Sequence, residues 1–282
     1  MWIATLTATE ILDSGLSAIM IPELFEVIAL LAALSYTLRS ARRDGLELRA
    51  MYWAGASAIL LGLWGGYLLG FVYYGTDGRP WAWLRFWSGG EAQYGGLLAG
   101  ALAVAAYLRI RKQLFLRYAD AMAPAVALGV AVGRIGCFLN GDDFGTLTQL
   151  PWGVRFPPGT EAYADHFARG WIAPGAEFSQ AVHPVQLYAS LLALALFMGL
   201  VHLRESAPGT RLAVLACVHG ATRFFIQYWR GDFERVLGPF SLTQLLSLGL
   251  VLLGGGFLIV QSLRSSAALD APTALQMGQG GR

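Results

Sequence analysis

Arg134 and Arg223 stand inside stretches of this 282-residue chain that are otherwise apolar, and chemistry enters there. An ionised group at bilayer depth is costly, so each needs a partner, a water-filled cavity or a ligand. A guanidinium is a planar fork of donors that suits a phosphate or a carboxylate. For Arg134, in the run from Gly133 to Gly145, the alternative to a ligand is an intramembrane pair with Asp142 or Asp120. For Arg223 the alternative is snorkelling to the interface, which suits the nearby Arg230 better. Helical spacing predicts that Arg223, Gln227 and Arg230 share one polar stripe. Two intramembrane cations in a chain this poor in charge point to an anionic ligand entering from the bilayer, and an anionic phospholipid fits.

Other polar groups fall at the ends of apolar runs. Asn140, Gly141 and Gly145 read as a helix end opening into a glycine-rich turn, with Asp142 inside it. Tyr94-Gly95-Gly96 opens one run, where a tyrosine is either an interface residue or a reacting group. His183-Pro184-Val185-Gln186-Leu187-Tyr188 opens another, with Pro184 suited to a first helical position. His166, His202 and His219 show no ligand spacing. Cys137 and Cys217 have no partners at metal-ligand spacing, so neither a zinc site nor a disulfide framework is expected.

The elements that must position these groups follow from composition. The chain is 56% hydrophobic and 13% charged, with a mean hydropathy of +0.52, against about 25% charged in a soluble domain. A net charge of +2 without a basic cluster argues against nucleic acid. Apolar runs near 22–38, 51–74, 91–108, 119–139, 185–203, 211–228 and 240–263 are each long enough to cross a bilayer. The expected fold is therefore an all-α polytopic membrane protein of about seven transmembrane helices. Glycines four apart, at 62, 66 and 70 and again at 96 and 100, predict close helix packing.

Twelve of the twenty Lys and Arg residues fall on connections 39–50, 109–118 and 204–211 and on the tail, against six on the opposite side. That bias puts the N-terminus outside and the C-terminus in the cytoplasm. Residues 1–20, with Thr7 and Glu10 as a capping box, read as an interfacial arm rather than a cleaved signal. Residues 140–184, rich in proline and tryptophan, read as a small irregular extracytoplasmic cap, and 265–282 as a disordered cytoplasmic tail beyond a membrane domain of 1–264.

Over these segments the chain resembles the prolipoprotein diacylglyceryl transferase family. Gly133 to Gly145 is similar to the family's Gly-Arg signature, preceded by the matching Asp120 and Pro124. Tyr94-Gly95-Gly96-Leu97 is similar to its His-Gly-Gly-Leu motif, His183 to Ala189 to its His-Pro-x-Gln-Leu-Tyr-Glu motif, and Arg223 to Asp232 to its Arg-Phe motif. Ser241, Gln244 and Ser247 match a closing Ser-x-x-Gln-x-x-Ser. The chain departs from the family at Tyr94 for histidine, Cys137 for asparagine, Asp142 and Gln227 for glutamate, and Ala189 for glutamate.

The resemblance implies a bacterial inner-membrane enzyme of lipoprotein biosynthesis. It would move the diacylglyceryl group of phosphatidylglycerol onto the lipobox cysteine thiol of a secreted prolipoprotein, releasing glycerol phosphate, with no metal and no cofactor. Tyr94, Arg134 and Arg223 would be catalytic. Gly95, Gly96, Asn140, Gly141, Asp142, Gly145, His183, Gln186, Tyr188, Gln227 and Arg230 would bind the phospholipid and the signal-peptide substrate. Two alternatives are a paralogue using another acceptor and a non-catalytic lipid-binding membrane protein.

Overall fold

A computed structural model describes residues 17–74, 93–204, 206–231 and 237–277. Most of the expected arm, residues 75–92, Glu205, residues 232–236 and the last five residues lie outside the described residues. The described chain is helical: α1 Ser17–Arg43, α2 Leu48–Tyr74, α3 Gln93–Ile110, α4 Phe115–Asn140, α5 Glu161–Ala168, α6 Val185–His202, α7 Thr210–Ile226 and α8 Leu242–Met277. Among the described residues β structure is limited to isolated bridges.

Five helices, α1, α2, α4, α6 and α8, are long and apolar enough to cross a membrane, while α3 is a shorter apolar helix. Their outward faces are greasy, with Leu253 74% exposed and Leu60 67% exposed. An aqueous solvent would penalise that surface and lipid does not. The protein is a polytopic helical membrane protein.

The expected runs match these helices to within a few residues at most ends, and two expectations need correction. α8 runs on to Met277, so the backbone that was expected to be a disordered tail begins as helix. The 140–184 connection contains α5, whose N-cap Thr160 accepts a hydrogen bond from the Tyr163 backbone N–H. Side-chain capping followed by Glu161 in the first turn overrides the proline-rich composition there.

α4 is the hub, packing against α1, α6 and α7. Six of its ten buried residues are alanine, which allows close approach. Gly96 and Gly100 likewise press on the backbones of Gly62 and Ala58 of α2, where an added Cβ would stand 3.1 Å from a carbonyl oxygen. Asp120, buried in α4, accepts from the backbone N–H groups of Gly209 at 2.6 Å and Leu212 at 2.9 Å. It thereby caps α7 and fixes the register of the helix that carries Arg223. Ser190 of α6 donates to the Ala131 carbonyl at 2.7 Å and locks α6 on α4.

The connections segregate. At one end of the bundle Arg204 and Arg211 pair with Asp44, and Arg111 and Gln113 meet Glu47. The 141–184 unit and residues 229–231 meet at the other.

Candidate active site

α4 ends where the sequence says it must. Gly141 adopts φ 72°, a left-handed C-cap, and its N–H closes the helix on the Cys137 carbonyl at 2.9 Å. The chain then turns back through Asp142 and Asp143. Gly145 bridges to Arg230, Thr146 donates to the Trp229 carbonyl at 2.7 Å, and His183 donates to the Thr146 carbonyl at 3.0 Å. Gly145 is pressed against the His183 backbone so tightly that a Cβ would overlap its carbonyl oxygen. Three segments distant in sequence are thus held together by backbone contacts over the ends of α4, α6 and α7.

Below that layer lies the charge. Asp143 bridges Arg134 and Arg230, one carboxylate oxygen to each guanidinium. Burial alone would raise the Asp143 carboxyl, but Arg230 and Arg134, helped by Arg223, outweigh it and hold it well below the usual carboxylate range. Burial pushes the neighbouring Asp142 carboxyl up, against the opposing Asn140 hydrogen bond at 2.7 Å. Arg134, Asp143, Gln186, Arg223 and Arg230 line a narrow cavity of about 20 Å³. Four buried polar atoms around it lack a hydrogen-bond partner: Asp142 Oδ1, Gln186 Oε1, Gln227 Oε1 and Arg223 Nε. Native interiors rarely tolerate such orphans unless a polar ligand or water completes them. A larger groove of about 760 Å³ lies on the 147–181 face, but neither Arg134 nor Arg223 lines it.

Most of the expected site residues converge here. Arg134, Arg223, Arg230, Gln186 and Asp142 do, with Gln186 Nε2 donating to the Asp142 carbonyl at 2.7 Å. Asn140, Gly141 and Gly145 build the turn above the cavity. Tyr188 bridges outward, accepting from Trp152 Nε1 at 2.8 Å and lying 3.4 Å from His183 Nδ1. Tyr94 reaches Ser247 Oγ at 2.5 Å and feels the fields of Arg223 and Arg134. Gly95 and Gly96 face α2, where Gly65 and Gly62 account for their lack of a side chain.

Two expectations are corrected. Arg134 pairs with Asp143, not with Asp142 or Asp120, because the left-handed cap swings the second aspartate back over the helix end while Asp120 is occupied with capping α7. Arg230 is not a snorkelling residue on a continuous stripe. α7 stops at Ile226, Gln227–Trp229 is a 3₁₀ turn, and Arg230 is extended, buried and paired. Sequence reasoning missed Asp143 and also His219, which lies within the fields of Arg223 and Arg134.

Cys137, Asp142 and Asp143 each bring a ligand atom within 4.8 Å of the others. Their charge is already directed at guanidiniums and at Asn140, so a metal would compete with two arginines for Asp143.

Comparison with known proteins decides the family. The description "prolipoprotein diacylglyceryl transferase" matches residues 16–260. The chain belongs to this family. A phosphatidylglycerol–prolipoprotein diacylglyceryl transferase of Geobacter sulfurreducens is 31% identical over 252 residues, covering 86% of this chain and 90% of the relative. The proteins of that name from Parasynechococcus marenigrum and Cupriavidus metallidurans are 35% and 30% identical, covering 67% and 80% of this chain. The segments that resemble the transferase family's motifs, scattered from Tyr94 to Ser247, are the ones brought together around Arg134 and Arg223. The family's Asp-x-x-x-Pro, matched by Asp120 and Pro124, has a positional role: it holds α7 against α4.

Proposed function

We propose that this chain transfers the diacylglyceryl group of phosphatidylglycerol to the lipobox cysteine thiol of secreted prolipoproteins and releases glycerol phosphate. It does so as a seven-span protein of the bacterial inner membrane, with the N-terminus outside, residues 140–184 as an extracytoplasmic cap and the C-terminus cytoplasmic. The observation that carries the reading is Arg223, whose Nε is buried without a hydrogen-bond partner in a cavity it shares with Arg134.

The charge arithmetic suits a phosphodiester. Three guanidiniums, Arg134, Arg223 and Arg230, face two carboxyls, Asp142 and Asp143, of which Asp143 is clasped by Arg134 and Arg230. The site therefore carries surplus positive charge where a monoanionic headgroup would sit, and where the leaving phosphate gains a second negative charge. Fixed donors in a site of low dielectric stabilise that developing charge, an effect worth about 10²–10³-fold per donor. Asn140, Asp142 and Gln186 then orient the headgroup, and Tyr94 assists the thiol.

The test incubates purified protein with phosphatidylglycerol and a lipobox peptide and reads the thioether-linked diacylglyceryl mass and released glycerol phosphate. Product from the native chain, lost in Arg134→Ala and Arg223→Ala, supports the reading. Glycerol phosphate without modified peptide indicates a different acceptor, and silence in both channels from folded protein removes the enzyme.

A further inference from the structure

His219 is a titratable group that the phosphate chemistry leaves without a task. It lies on α7 four residues before Arg223, so the two side chains leave the same helix face one turn apart. Arg223 lines the narrow cavity, and the fields of both Arg223 and Arg134 reach the imidazole. The next residue, Gly220, is packed on α8, where a Cβ would stand 2.7 Å from the Ser247 carbonyl oxygen. Ser247 Oγ in turn meets the Tyr94 hydroxyl. α3, α4, α7 and α8 thus bring Tyr94, Arg134, His219 with Arg223, and Ser247 to one region of the bundle.

Hydrogen-bond direction separates the two aromatic groups. Ser247 Oγ donates its single hydrogen to the Thr243 carbonyl at 2.7 Å, so in their contact Tyr94 is the donor and Ser247 the acceptor. A proton handed to Tyr94 and onward through Ser247 would end at a backbone carbonyl, which is no base at neutral pH. Asp143 is committed to Arg134 and Arg230, whereas Asp142 gives one oxygen to Asn140 and keeps Oδ1 buried without a partner, where burial disfavours its charged form. A neutral imidazole accepts a proton on a ring nitrogen and can take the proton of a thiol. The family's motif has its histidine where this chain has Tyr94, and here a histidine stands on a different helix.

Resting on the transferase reading, we propose that His219 is the catalytic base that takes the proton of the acceptor thiol, while Tyr94, held by Ser247, positions that thiol. The proton passes from sulfur to a neutral imidazole nitrogen, giving thiolate and imidazolium. The sulfur electron pair forms the C–S bond at the diacylglyceryl carbon that is esterified to phosphate. The C–O bond there breaks, its electron pair leaving on glycerol phosphate as a dianion. The imidazolium returns its proton to a phosphate oxygen, so glycerol phosphate departs as a monoanion and His219 is neutral again. Among the described residues the charged groups whose fields reach His219 are Arg223 on α7 and Arg134 on α4; α8 contributes no charged or titratable side chain between Leu242 and Gln261.

The experiment measures the pH dependence of kcat and KM for the full-length protein in phosphatidylglycerol-containing bilayer discs with a lipobox peptide. His219→Gln is expected to lower kcat by about 10²–10⁴-fold. The peptide KM stays within about threefold and the acidic limb of the native pH profile disappears. Added imidazole restores part of the rate of His219→Ala, a rescue that a merely structural histidine would not show. Tyr94→Phe retains the acidic limb. A His219→Gln enzyme with native kcat and the native limb overturns the assignment and leaves the transferase reading standing. A native protein that yields neither product overturns both.

Discussion

The molecule uses the same device at its two ends, an aspartate clasped by two arginines, with opposite consequences. At the basic end Asp44 accepts from Arg204 at 2.9 Å and from Arg211 at 3.1 Å, and Arg204 also donates to the Arg43 carbonyl at 2.6 Å. Arg204 is half exposed, so water screens the pair, and among the described residues no buried side-chain atom of that cluster is left unpartnered. At the other end Asp143 clasps Arg134 and Arg230 at helix ends, and orphaned polar atoms of Asp142, Gln186, Arg223 and Gln227 surround it. A finished clasp ties helices together. An unfinished one, with a third arginine beside it, keeps donors in reserve for a ligand.

The largest expected effect separates the two clasps by activity. Arg223→Ala is expected to reduce thioether formation by about 10²-fold or more, the scale of one lost donor to developing charge. Arg204→Ala at the basic end leaves the rate within about twofold, because a screened surface pair is worth about 0–1 kcal/mol and lies far from the chemistry. Equal losses in the two variants, measured with the same phosphatidylglycerol and peptide, would erase the distinction.

Stability separates them next. Asp143→Asn leaves two buried guanidiniums without their carboxylate and is expected to destabilise the protein by about 3 kcal/mol, whereas Asp44→Asn costs about 1 kcal/mol or less. Because the folded-state pKa of Asp143 is depressed, its contribution is complete above the ordinary carboxylate pKa of about 4 and is lost as pH falls below that value. Thermal unfolding at pH 7 and near pH 3 reads this: the gap between native and Asp143→Asn narrows at the lower pH. A gap that is constant with pH would mean that the carboxylate is not the group responsible.

The contrast between the ends also explains what was legible in the sequence. Helices were legible because a bilayer demands about 20 apolar residues in a row, a signal that tertiary context cannot hide. Arg134 and Arg223 were legible for the converse reason, as charges where lipid forbids them. Asp143 was not, because choosing it over Asp142 depends on the left-handed cap at Gly141 and the reversal that follows, a matter of backbone direction and not composition. Arg230 was misread because the helical stripe was extended past Ile226, where the chain tightens into a 3₁₀ turn. His219 carries no motif of its own, and its significance appears only when α4 brings Arg134 alongside α7. α5 left a faint trace, Thr160 and Glu161 followed by an Asp165–Arg169 pair at helical spacing.

The smallest expected effect concerns the 141–184 unit over the unfinished clasp. His166 is buried there between Phe144 and Trp171, accepting from the Gln180 N–H at 3.1 Å on Nδ1. Burial lowers its pKa, so the unfolded segment takes up a proton before the folded one does. Its stabilising contribution is present above the ordinary histidine value of about 6.5 and declines as pH falls toward the depressed folded value. Amide exchange in 144–182 should therefore quicken between about pH 7 and pH 5 once corrected for intrinsic exchange rates. A His166→Phe chain should keep its protection over that range, since a phenyl ring preserves the edge contacts and has nothing to titrate. The basic end, whose helices are joined without a buried histidine, should show no such change in the same experiment. Loosening at both ends together would trace the effect to the whole bundle, whereas loosening in 144–182 alone would make this unit the separable cover of the arginine cavity.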